Sequence, residues 1–168
     1  MKTIIIGMGN PFLTDDGVGG NVVRMLRESL NGRREVDLVE LYVGGLRLME
    51  TMIGYEKAII VDAMLTGKNK PGVISSYREV GFTTKNTIST HDTNLSIALE
   101  MGKLLNLSLP DEIRIWGIEA NDVETFSEDL TLSVAEAVPI VVKEILQNLK
   151  YWELGIINPA NSYSLTCN

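Results

Sequence analysis

The chain has 168 residues, of which 45% are apolar and 22% charged, so a wholly disordered or collagen-like protein is excluded. Asp and Glu number 22 against 15 Lys and Arg, and the formal net charge of −7 argues against a nucleic-acid-binding domain, which needs a basic surface. The single Cys, Cys167, and the single His, His91, exclude an internal disulfide framework and a Cys-based zinc site.

Short apolar runs alternate with segments of helical periodicity. Strands are predicted at 3–6, 36–41, 58–61, 73–77 and 113–118, and helices at 18–30, 45–53, 95–105 and 132–149. Asp92 or Thr90 is the expected N-cap of the third helix, and Pro139 predicts a kink or a late start in the last one. The alternation predicts a three-layer α/β/α sandwich, with helices on both faces of a mostly parallel, twisted sheet of about five strands.

One domain is predicted over residues 1–150, followed by a flexible C-terminal tail at 151–168 that holds Gly, Pro, Asn and Ser without a period. No apolar run reaches the length of a membrane span, and the N-terminus does not have the form of a signal peptide. A cytoplasmic protein is therefore expected.

Two acidic residues fall where the first and third predicted strands end. Asp16 lies at the start of a helix after the first strand, and Asp62 directly follows the third. In a parallel sheet both positions lie on the carboxyl edge, where ligands bind, and His91 precedes a further helix. Two carboxylates and one imidazole can bind a divalent metal and leave positions open for a substrate or water. Each also has a plainer interpretation: an N-cap for Asp16 or its neighbour Asp15, and a loop hydrogen bond for His91.

The turn after the first strand has the sequence Gly7-Met8-Gly9-Asn10-Pro11. It is partly similar to a dinucleotide-binding fingerprint, but Phe12 stands where the third Gly is required, and Glu40 is the one acid available for a ribose contact. The alternative is a sharp turn capped by Asn10. The glycines at 17, 19 and 20 would let the following helix approach either the sheet or a ligand closely. Cys167 lies in the predicted tail and has no second His to activate it as a nucleophile, and no nucleophile-elbow motif supports a Ser-His-Asp triad.

Four blocks of the chain, spread over about residues 1–150, resemble the hydrogenase maturation endopeptidases, the proteases that trim the large subunit of nickel–iron hydrogenases. The blocks are IGMGNPFLTDDGVG at 6–19, IIVDA at 59–63 with KPG at 70–72, STHD at 89–92, and WGIE at 116–119 with LS at 132–133 and AVP at 137–139. The family usually has an Asp-x-Gly-Thr-like turn after the second strand. Here residues 40–45 read ELYVGG, so Glu40 replaces the acid while the Gly and Thr are missing.

The resemblance implies an endopeptidase, of aspartic type by family grouping, that removes the C-terminal extension of a large-subunit precursor after nickel insertion. It places the metal-binding and catalytic residues on Asp16, Asp62 and His91, with Asp15, Glu40 and Asn10 as second-rank candidates. The nickel is held by the precursor, and the free protease need not bind a metal of its own. Either Asp16 or Asp62 is then a candidate general base.

Three alternatives stay open at this point. Peptidyl-tRNA hydrolases also use a Gly-x-Gly-Asn-Pro turn, although they carry an early His and need a basic groove, which this acidic chain does not indicate. A non-catalytic metal-binding or precursor-binding module could use the same three ligands. A protease that binds its precursor without cutting it is also consistent with the altered turn at 42–45.

Overall fold

A computed structural model describes residues 1–80 and 92–156 of the chain. Its strands are β1 (Thr3–Met8), β2 (Val36–Leu41), β3 (Lys57–Met64), β4 (Ile74–Val80) and β5 (Glu112–Glu119). Its helices are α1 (Val18–Ser29), α2 (Leu46–Thr51), α3 (Asp92–Leu104) and α4 (Leu132–Glu153), and a 3-10 turn at Thr14–Gly17 precedes α1.

The five strands form one sheet in the order β2-β1-β3-β5-β4. The first four of these are parallel, and β4 pairs with β5 in the antiparallel sense at the edge. The register aligns Thr3 of β1 with Lys57 of β3, and Lys57 with Glu112 of β5, so these three residues define one edge of the sheet. We call this the amino edge, and the opposite one, where the parallel strands end, the carboxyl edge.

Alternating residues of the central strands supply two apolar cores, one on each face of the sheet. Ile5 and Ile59 pack beneath α1 and α4, whereas Ile4 and Ile60 pack beneath α2 and α3. All six residues of β1 are buried, as expected for a central parallel strand covered on both faces. The predicted three-layer architecture with a mostly parallel five-stranded sheet is confirmed.

One local prediction was wrong, and one alternative of each of two others was wrong. β3 continues to Met64, so Asp62 lies inside the strand instead of after it. Asp92 is the first residue of α3 and not a cap before it, and the other proposed cap, Thr90, is outside the described residues. α4 begins at Leu132 and continues through Pro139 to Glu153, so the late start was wrong, and the kink at Pro139 stays a prediction. Within the described part of the chain, no helix is both long and apolar enough to cross a membrane.

Candidate active site

The turn between β1 and α1 holds Asp16 at the carboxyl edge. The Asp16 Oδ2 atom accepts a hydrogen bond of 2.6 Å from the backbone N–H of Asn10. The Asn10 side chain in turn accepts from the N–H of Phe12 at 3.0 Å, which is the capped turn predicted from the sequence. The turn therefore fixes the position of the Asp16 carboxylate through neutral backbone donors.

Glycines allow this turn and α1 to lie directly against the sheet. A Cβ atom at Gly9, whose φ is +112°, would overlap the carbonyl oxygen of Asp16. A Cβ atom at Gly19 would overlap the carbonyl oxygens of Met8 and Val61, on β1 and β3. Of the two partners considered for these glycines, a ligand or the sheet, the structure identifies the sheet as the close neighbour of Gly19.

Asp62 supplies a second carboxylate near the end of β3. Its residue is only 6% exposed, and the neighbours that alternate with it, Val61 and Ala63, belong to the core under α1 and α4. Side chains alternate along a strand, so Asp62 is on the α2 and α3 face of the sheet. The 3-10 turn that contains Asp16 contacts β3, which brings the two sequence-predicted carboxylates to the same edge.

α3 starts near this edge as well. Its last turn packs beside Leu109, and the nearby Ser108 carbonyl accepts from the N–H of Gly54, just before β3 begins at the amino edge. A helix of 13 residues spans about 20 Å, so α3 begins on the side of the carboxyl edge. His91, the third predicted ligand, lies outside the described residues.

Asp15, a second-rank candidate, is fully buried beside Asp16. Its carboxylate accepts hydrogen bonds from the N–H groups of Asn121 and Asp122 and from both the N–H and the hydroxyl of Thr131, at distances of 2.7 to 3.0 Å. These contacts join the turn after β1 to the acidic loop before α4. The lone pairs of Asp15 are thus committed to holding two loops together.

Glu40, another second-rank candidate, binds two arginines of α1. Its oxygens lie 2.7 Å from Arg24 and 3.4 Å from Arg27. The turn that follows it, where the sequence departs from the family pattern, exposes Tyr42 and Val43. Glu40 and Asp16 therefore differ in their partners. Glu40 pairs with arginines of α1, whereas Asp16 accepts a backbone hydrogen bond in the turn after β1.

Glu119 belongs to the WGIE block at 116–119, but its role was not predicted from the sequence. It is 1% exposed at the end of β5, and it accepts from the N–H and hydroxyl of Thr66 and from the N–H of Gly67, at 2.7 to 2.9 Å. Glu119 thereby fixes the loop after β3, two residues beyond the strand that holds Asp62. An acidic residue that follows apolar residues near the end of a strand could have identified Glu119, as it identified Asp62.

These observations define the class of protein: a three-layer α/β protein whose candidate site consists of carboxylates at the carboxyl ends of two neighbouring parallel strands. Among residues 1–80 and 92–156, no cluster of three His, Cys, Asp or Glu residues is arranged to hold a metal ion. Asp16 and Asp62 together offer oxygen ligands, and any third ligand from the predicted set is His91.

Comparisons with known proteins identify the family. Residues 21–148 match the model of the HycI hydrogenase maturation proteases, a range that includes Asp62 and His91 but not Asp16. The hydrogenase 2 maturation protease of Escherichia coli is 26% identical over 152 residues, which cover 89% of this chain and 92% of that protein.

Solved structures agree with this match. The hydrogenase maturating endopeptidase HybD from E. coli superposes with a TM-score of 0.70 at 25% identity, covering 89% of this chain and 93% of that one. The [NiFe] hydrogenase maturation protease HybD from Thermococcus kodakarensis gives a TM-score of 0.67 at 27% identity, covering 89% and 99%. The chain belongs to the hydrogenase maturation protease family. It is an endopeptidase that processes the C-terminus of a nickel–iron hydrogenase large subunit.

Proposed function

We propose that this protease recognises nickel already bound to its precursor, through Asp16, Asp62 and His91, and then removes a short C-terminal extension. The observation that carries the proposal is the position of two carboxylates at one edge: Asp62 on β3 and Asp16 on the turn that contacts this strand. In the sequence His91 directly precedes α3, which begins on the side of the same edge.

The chemistry of these residues suits a metal that a substrate brings with it. Two carboxylates and one imidazole supply only three ligands, with oxygen and nitrogen atoms. They leave coordination positions for the groups of the precursor that already hold the ion. A metal shared between precursor and protease would fix the scissile bond relative to Asp16 and Asp62, and it could polarise the carbonyl or an attacking water. Nickel thereby acts as a condition for cleavage, and the free enzyme needs no ion of its own.

The contacts of Asp15 and Glu40 argue against these two residues as the general base, for which Asp16 and Asp62 are our candidates. Asp15 already accepts four hydrogen bonds in a fully buried position, and Glu40 is bound to Arg24 and Arg27. A general base must take up a proton, which would compete with these interactions. Asn10, the remaining second-rank candidate, acts through its N–H by holding Asp16. A cytoplasmic location, where a nickel-loaded precursor would meet the protease, is part of the proposal.

The test compares cleavage of a nickel-loaded and a nickel-free large-subunit precursor. We expect the purified protein to shorten the first and leave the second intact. Asp16→Asn, Asp62→Asn and His91→Ala should each lose this cleavage, while the matched control Glu28→Gln, an exposed carboxylate near the far end of α1, should retain it. Equal cleavage of the two precursors, or full activity of Asp62→Asn, would contradict nickel recognition by these residues.

A further inference from the structure

Two exposed phenylalanines stack on each other beside the candidate site. Phe12 is 46% exposed and Phe126 is 80% exposed, and their ring centroids are 5.9 Å apart with the planes inclined by 10°. Phe12 lies in the same turn as Asp16, and its N–H donates to Asn10, whose own N–H donates to Asp16. An aromatic pair that offers this much surface next to a site usually marks a place where a partner binds.

The two loops that carry the pair are held together firmly. Ser127 N–H donates to the carbonyl of Phe12 at 3.0 Å, and Thr14 N–H donates back to the carbonyl of Ser127 at 2.9 Å. The Thr14 hydroxyl donates to the carbonyl of Thr125 at 2.6 Å. Beneath them the buried carboxylate of Asp15 joins the same two segments. The rings are therefore presented in a preorganised arrangement, which reduces the entropy that binding would cost.

The surroundings of Phe126 are acidic. Glu124, Glu128 and Asp129 are exposed on the same loop, and residues 119–131 contain no Lys or Arg. Among the described residues, no ion pair involves any of these three carboxylates. Such a surface complements a segment that carries apolar and basic side chains, since a cation can lie over an aromatic face while carboxylates neutralise it.

We propose that the Phe12–Phe126 pair and the acidic residues around it form a docking surface for an apolar, basic segment of the precursor polypeptide. The inference rests on the proposed function, because it assigns this surface to the same substrate. It adds a contact that is independent of nickel: the pair binds polypeptide, while Asp16 and Asp62 act at the metal and the scissile bond.

The test measures both cleavage of the nickel-loaded precursor and binding of the nickel-free precursor. We expect Phe12→Ala/Phe126→Ala to raise KM and the Kd for nickel-free precursor by about tenfold, with kcat within about twofold of the parent protein. The single variant Phe126→Tyr keeps the aromatic ring, so its KM and Kd should equal those of the parent protein. Glu124→Gln/Glu128→Gln should raise KM by about threefold at low salt and reduce its dependence on ionic strength.

Matched controls separate docking from folding. Leu104→Ala removes an apolar side chain that is 82% exposed at the end of α3, and Glu28→Gln removes a remote charge, so neither should change KM. Thermal melting checks that each variant is folded. Unchanged KM and Kd in the double Phe variant would overturn the docking surface while leaving the protease function intact. If the parent protein binds the precursor through the pair but cleaves the nickel-loaded and nickel-free forms equally, the proposed nickel recognition fails and the docking surface stands.

Discussion

Both edges of the sheet contain buried carboxylates, but the groups that pair with these carboxylates differ between the two edges. At the amino edge, Glu112 lies 2.9 Å from Arg114, 3.1 Å from Arg78 and 3.3 Å from Lys57. At the carboxyl edge, Asp15, Asp16 and Glu119 accept hydrogen bonds from backbone N–H groups and threonine hydroxyls.

The difference separates carboxylates paired with cations from carboxylates held by neutral donors. Burial raises the pKa of Glu112, but the hydrogen bond from Arg114 and the charges of Arg114, Arg78 and Lys57 outweigh it and hold the pKa below its ordinary value of 4.5. That charge is neutralised within the protein. Neutral donors position a carboxylate without adding a positive charge beside it, which is the arrangement that the proposed nickel recognition requires.

The largest effect is expected when the carboxyl edge loses charge. Asp62→Asn should lower kcat/KM for the nickel-loaded precursor by on the order of 10²–10³-fold, because a neutral amide is a poorer metal ligand and cannot serve as a base. Its melting temperature should stay close to that of the parent. Quantitative cleavage assays with a melting curve on the same sample check both values. A variant with a much lower melting temperature but an unchanged kcat/KM would reverse the assignment of the two edges.

Asp15→Ala tests the part of the carboxyl edge that is structural. Four donors would lose their buried acceptor, so we expect a loss of about 3 kcal/mol in the free energy of unfolding, measured by urea denaturation. Asp15→Asn keeps one acceptor oxygen and should lose less. If Asp15→Asn instead matched Asp62→Asn in lost activity at full stability, Asp15 would belong to the catalytic group.

Glu112→Gln tests the amino edge. Arg114, which is 4% exposed, would lose its charged partner, and the free energy of unfolding should fall by about 2 kcal/mol at neutral pH. Because the folded pKa of Glu112 is lowered, its contribution is present above pH 4.5 and is lost as the pH falls through the folded value. Melting curves of parent and variant should therefore converge in acid. A constant difference across pH 3–7 would contradict the role of this ion cluster, and kcat is expected to be unchanged.

The smallest effect is expected at Glu40. Its two arginine partners are about half exposed, so Glu40→Gln should lower stability by only about 0.5 kcal/mol. Precursor cleavage should remain within about threefold of the parent value. Arg24→Gln provides the control from the other side of the ion pair. A loss of kcat in Glu40→Gln comparable to that of Asp62→Asn would make this residue catalytic.

Much of the fold follows from local pattern. The β-branched runs at 3–6 and 58–61 identified the two central strands, because strands covered on both faces must be apolar throughout. The predicted range 36–41 for β2 matches the observed strand. Strand ends were less predictable: Asp62 is a charge within β3, and only pairing with Gly117 of the neighbouring β5 extends the strand past it. Likewise Pro139 does not interrupt α4, which packs its apolar side against α1 and the sheet.

Spacing and residue type were enough to predict the α/β alternation, the tight glycine turn and two acidic positions toward the carboxyl edge of the sheet. The sequence also indicated the family through its motifs. Only the tertiary structure shows which carboxylates use their oxygens to hold other segments of the chain. Asp15 and Asp16 are adjacent and chemically identical, yet one is buried against the loop at 121–131 and the other accepts from Asn10 at the sheet edge. The partners of Asp15 lie more than a hundred residues away in the chain, so the folded structure is needed to find them. The same is true of the contact between Phe12 and Phe126.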